Sequence, residues 1–156
     1  MKRIMMIMTL LAALTVQLAW AGDEERITVM AKRNFEKEFP GAIYVKWEKL
    51  ERTDVCMVRF VYNDQALLSY FNDDGNMIAT IRNVEKQNLP FRISETLLKK
   101  YNEYKVLRIE ELIMGSDVSY LVALENEKAK LQVRLYISGA SSEMKKEKKK
   151  LEKKAD

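Results

Sequence analysis

One pattern of apolar residues occurs twice in this chain, at an offset of about 62 residues. Phe39 falls on Tyr101, Val45 on Leu107 and Trp47 on Ile109; after a one-residue insertion Asp54-Val55 falls on Asp117-Val118. Each copy reads as a helix followed by strands, and one such unit alone has few residues for a core. Two copies must therefore share one. The predicted fold is α+β, with two tandem helix-plus-antiparallel-strands repeats, about 23–84 and about 88–138. They are expected to form one sheet with both helices on one face.

In the first copy, Ile27, Met30, Ala31, Phe35 and Phe39 recur in steps of three and four, the stripe of a helix over Asp23–Phe39. Asp23, Glu24 and Glu25 favour its positive end and Pro40-Gly41 stops it. Ile43, Val45 and Trp47 then alternate with polar neighbours as a half-buried strand. Cys56, Val58, Phe60 and Tyr62 share one side of the next strand, Ala66–Phe71 forms a third, and Met77–Val84 a fourth. Asp73-Asp74-Gly75-Asn76 between the last two is a hairpin signal, because Asp-Gly accepts positive φ.

In the second copy, Pro90 suits a helix start, and Ile93, Leu97, Leu98 and Tyr101 give the stripe. Leu107, Ile109 and Ile113 alternate along a strand, Met114–Asp117 turns, and Val118–Leu124 returns. From Ala129 to Ile137 the alternation is the cleanest in the chain, with Lys130, Gln132, Arg134 and Tyr136 on the opposite side. Ser138-Gly139-Ala140 ends that repeat.

Phe39-Pro40-Gly41-Ala42, Val45, Trp47, Val58-Arg59-Phe60, Phe71-Asn72-Asp73-Asp74-Gly75, Leu89-Pro90 and Tyr101 together resemble the PepSY-like family of small exported bacterial proteins. The resemblance covers roughly Ile27 to Ile137 and implies the β-lactamase-inhibitor-protein-like fold. In that fold helix-plus-sheet repeats lie side by side, and a partner docks on the exposed sheet surface. The second copy departs from the pattern by lacking Pro-Gly and Trp.

Composition removes most chemistry. The chain has no histidine and one cysteine, which excludes Ser-His-Asp and Cys-His catalysis, histidine-ligated metals, an internal disulfide and a four-cysteine zinc site. No cofactor is expected. Asn72, Asp74 and Asn76 alternate as calcium ligands do, but Gly75 stands fourth and Asn83 twelfth, so the stretch reads as a turn. Cys56 reads as a small buried hydrophobe, with an intermolecular disulfide as the alternative. Glu48, Glu51, Glu110 and Glu111 are placed on strand exteriors or ends, where solvation leaves nothing for a two-carboxylate site. The chain is read as a non-enzyme.

Lys2 and Arg3 precede an apolar run, Ile4–Trp20, followed by the small residues of Ala19-Trp20-Ala21. That is the order of a secretory signal peptide. The run, at about 17 residues, is short for a ~30 Å hydrocarbon layer. Cleavage is expected after Ala21, and no cysteine stands there to make a lipoprotein. The domain 22–142 would then be periplasmic or secreted.

The formal charge is +4. The signal carries +2, and the segment 143–156, with seven Lys against four acids, carries +3. The segment Gly22–Ser142 is left near −1, so basicity lies at two ends and a nucleic-acid-binding face is excluded. Residues 143–156 are expected to be a disordered or frayed-helical tail. Lys145–Lys154 could touch anionic lipid with ~3 kcal/mol, less than the ~4.1 kcal/mol of millimolar binding.

Phe35, Phe39, Trp47, Phe60 and Tyr101 are assigned to the core. Tyr44, Lys46, Arg59, Tyr70, Arg108, Arg134 and Tyr136 are assigned to the sheet side opposite the helices. Tyr and Arg are enriched at binding hot spots, where they combine contact area with directional hydrogen bonds. The expected role is an exported binding module that engages an envelope protein, as an inhibitor or sensor, through that side. The alternative is a structural or lipid-associated envelope component that uses the basic C-terminal segment.

Overall fold

The computed structural model describes residues 27–149. The expected signal peptide, its cleavage site, Asp23–Glu25 and residues 150–156 lie outside them. The order is α1 (Val29–Glu38), β1 (Ile43–Lys49), β2 (Val55–Tyr62), β3 (Gln65–Asn72), β4 (Met77–Asn83), α2 (Phe91–Lys100), β5 (Lys105–Met114), β6 (Asp117–Glu125), β7 (Ala129–Tyr136) and β8 (Ser141–Lys148). The fold is α+β, and its strands form one eight-stranded antiparallel sheet ordered β1 to β8. Two compact units divide within β3 and β4. Leu68–Ile78 belongs to the first unit; Gln65–Leu67 and everything from Ala79 belong to the second. The division does not fall at residues 84–88, because Thr80–Asn83 of β4 pairs with Glu110–Ile113 of β5.

In the first unit, Thr28 caps α1 by accepting the Ala31 N–H on Oγ1 at 3.2 Å. Ile27 and Thr28 are not helical, so the helix begins later than the Asp23 expected. The Phe39 N–H closes on the Phe35 carbonyl at 2.8 Å, and the chain turns at Pro40-Gly41. Phe35 is the hub of the aromatic core. Its ring centroid lies 5.5 Å from that of Phe39, 5.4 Å from Trp47, 4.8 Å from Phe60 and 6.3 Å from Phe71.

The β3–β4 turn docks on the same helix. The Gly75 carbonyl accepts from Asn34 Nδ2 at 2.8 Å, and a Cβ on Gly75 would stand 2.7 Å from the Met30 carbonyl carbon. With φ at +82° as well, this position is closed to any other residue. Asn72 Oδ1 accepts the Asn76 N–H at 2.8 Å, so the Asn72 side chain serves the turn.

β1 departs from its expected half-burial. A bulge between Ile43 and Lys46 shifts its register on β2, Tyr44 takes φ +54°, and Ile43 and Val45 are exposed. Only Trp47 and Lys49 of this edge strand are partly covered.

In the second unit, Leu89, Ile93, Leu97 and Tyr101 pack on Ile109, Tyr120, Val122, Leu124, Leu131, Val133 and Leu135. Leu98, placed in the helical stripe by spacing, faces solvent. Leu107 sits in a bulge between Val106 and Arg108 and is exposed rather than core. The bulge also lets Val106 pack against the core while Arg108 pairs with Ala123 on the other side.

The expected tail is the largest correction. Ser138-Gly139 is a turn, with Gly139 at φ +90°, and Ser141–Lys148 returns as β8, paired antiparallel with β7. Residues 143–148 are strand, neither disordered nor helical. Hydrogen bonding to the unpaired edge of β7 outweighs the poor strand propensity of a lysine-rich run.

Candidate binding surface

The pleat sorts side chains by parity. In the first unit, Lys46 and Glu48 of β1 pair with Arg59 and Met57 of β2, on the side opposite the Phe35 cluster. Arg59 Nη1 lies 3.2 Å from Glu48 Oε2, so its charge is partnered. Tyr44 sits in the bulge and is 81% exposed, while Tyr70 is half-buried on the side of β3 opposite Ser69 and Phe71.

In the second unit, the side away from α2 carries Arg108, Glu110 and Leu112 on β5, Ser119, Leu121 and Ala123 on β6, and Gln132, Arg134 and Tyr136 on β7. Arg134 and Tyr136 act together. Arg134 Nε donates to Ser119 Oγ at 2.9 Å, and its guanidinium lies 5.2 Å from the Tyr136 ring centroid. Both side chains are half-buried and held in place by this stacking. Arg108 Nε lies 3.5 Å from Glu110 Oε1 on the same side.

Sequence reasoning missed a polar string on the core side. Glu111, read as solvated, is buried. Arg82 Nε donates to Glu111 Oε2 at 2.5 Å, Tyr120 OH donates to Glu111 Oε1 at 2.8 Å, and Arg82 Nη1 donates to Gln65 Oε1 at 3.1 Å. Register aligns these groups directly, with Arg82 opposite Glu111 and Glu111 opposite Tyr120. The signal was present: Glu111 has the parity of Ile109 and Ile113, and that parity outranks its charge.

Burial and the adjacent Glu111 carboxylate push the Tyr120 phenol from 10.0 up to about 12. Its pKa is raised on folding, so its contribution to stability is full below pH 10 and is lost as pH rises through about 12. Tyr120→Phe should remove up to ~2–3 kcal/mol of alkaline stability loss in that window. Chemical denaturation of both proteins across the window checks this, and equal alkaline losses would contradict it.

Cys56 is 1% exposed, with Sγ 3.5 Å from the Phe71 carbonyl oxygen. Burial pushes its thiol pKa up against the opposing pull of Lys49. Such a sulfur is neither an accessible nor an activated nucleophile. Among the described residues no group of three metal-ligating side chains comes together.

No protein-family model and no curated protein matches the sequence. Solved structures do. A BLIP-like protein from Bacteroides fragilis aligns with a TM-score of 0.66 at 15% identity, over 83% of this chain and 92% of its own. A DUF2874 family protein from Bacteroides ovatus gives 0.68 at 16%, over 78% and 87%. A candidate periplasmic protein from Bacteroides eggerthii gives 0.67 at 11%, over 78% and 88%. At these identities the likeness is one of architecture, and the chain has the BLIP-like fold.

Proposed function

We propose that this protein is an exported, non-enzymatic binding module that engages a protein partner through the side of its sheet away from the helices. The observation that carries the reading is the Arg134–Tyr136 pair. A large cationic side chain is stacked on an aromatic ring and anchored on a buried serine, so little side-chain entropy remains to be lost on docking. Tyr44, Lys46, Arg59 and Tyr70 on the first unit and Arg108 on the second are proposed as further contacts. The leader-like segment 1–21 supports export to the periplasm or beyond, as does the likeness to a candidate periplasmic protein.

Membership in the PepSY-like family and descent by tandem duplication, with both helices on one side, belong to the same reading. Support comes from the repeated order of one helix and four strands. It comes also from the bulges in β1 and β5, which fall where the offset aligns Val45 with Leu107.

Arg134→Ala with Tyr136→Ala should leave folding within ~1 kcal/mol of the parent and abolish capture of the partner from envelope extract. Undiminished capture by the folded double variant would refute the surface.

A further inference from the structure

The lysines of β8 are sorted by side. Lys145 and Glu147 pair with Gln132 and Lys130, and Lys145 Nζ lies 2.6 Å from Glu147 Oε1. Lys146 and Lys148 face the other way, registered on Leu131 and Ala129 at the edge of the second unit's core. There they line a cleft of about 380 Å³ together with Lys128, Lys149 and Tyr104. Lys149 is matched by Glu125 at 2.8 Å, which holds the Glu125 carboxyl below its ordinary pKa. Among the described residues no carboxylate forms an ion pair with Lys128, Lys146 or Lys148, although Lys49, Lys99, Lys130 and Lys145 each have one. Glu103 is the one acidic residue on the cleft's lining.

Lysines that merely protect a sheet edge can point either way and be matched by acids. Here Lys145, matched by Glu147, points to the open side, while Lys128, Lys146 and Lys148 line a concavity beside the matched Lys149. Uncompensated cations around a concave surface focus a positive field, and their mutual repulsion is relieved when a multivalent anion enters. Lysine ammonium groups meet phosphate as point charges. We propose that this cleft binds a phosphate-bearing anion, either free or as a lipid headgroup. The site lies on the opposite side of β7 and β8 from Arg134 and Tyr136, so it stands or falls apart from the partner surface.

The test uses the full chain from Gly22 and two charge-matched variants, Lys146→Gln with Lys148→Gln and Lys130→Gln with Lys145→Gln. Inorganic tripolyphosphate is titrated calorimetrically, and flotation with phosphatidylglycerol vesicles is compared with phosphatidylcholine vesicles. The first variant should lose binding by ~10-fold or more, and the second by no more than ~3-fold. Saturable tripolyphosphate binding with that asymmetry identifies a free phosphate ligand. The same asymmetry on phosphatidylglycerol alone identifies a headgroup. Equal losses in the two variants would reduce the effect to general surface charge and overturn the site, as would no binding of either probe by the parent.

Discussion

Phe35→Ala is expected to lower the stability of the first unit by about 3–5 kcal/mol. For a chain of this size that is a fall of about 10 °C or more in the melting temperature. The residue is 4% exposed and its ring meets those of Phe39, Trp47, Phe60 and Phe71. Truncation removes the transfer energy of one large side chain and opens a cavity that rigid rings from three strands and α1 cannot collapse into. Phe91 supplies the control, since it lies at the start of α2 and is 79% exposed. Phe91→Ala should change stability by no more than ~0.5 kcal/mol. Thermal melts followed by circular dichroism decide the matter. A Phe35→Ala loss below ~1 kcal/mol would contradict the assignment of Phe35 as the hub.

The second large effect concerns the buried carboxylate. Arg82→Met strips Glu111 of its cation while Tyr120 remains as a neutral donor. Leaving a buried charge without its partner typically costs about 3–5 kcal/mol. Arg82 is itself partly exposed, which admits water to the variant site and places the expectation near the lower bound, at about 3 kcal/mol. Adding Glu111→Gln removes the charge but keeps an acceptor for the Tyr120 hydroxyl, so the double variant should recover most of the loss. Denaturant titrations of the two single variants and the double close a cycle. Additive losses would show that Arg82 and Glu111 do not act as a pair.

The sequence made the strands legible wherever alternation was strong. Ala129–Tyr136 and Val55–Tyr62 match their readings within a residue or so, because one side of each is buried against a helix and a register slip would expose the whole set. β8 was illegible for the complementary reason. Its side chains are nearly all exposed, so no apolar period marks it, and its pairing is decided by the free edge of β7. The turn that starts it, Ser138-Gly139, was visible and corresponds to the glycine turn between β3 and β4. Bulges at Tyr44-Val45 and Leu107 turned residues of the right period outward, and no local signal foretold them. Of the seven surface residues proposed from parity, Arg134 and Tyr136 come together as a stacked pair and Lys46 stands opposite Arg59. Glu111 follows the parity of Ile109 and Ile113 rather than its charge. Its burial requires two partners that lie 29 and 9 residues away along the chain.

A photo-crosslinking residue at Gln132, beside Arg134 on the open side of β7, tests the docking side most directly when compared with the same residue at Leu98, exposed on α2. In the cell envelope, the account predicts a discrete adduct from position 132 that disappears in the Arg134→Ala, Tyr136→Ala background, and none from position 98. An adduct from position 98 with none from position 132 would place the partner on the helices and contradict the account.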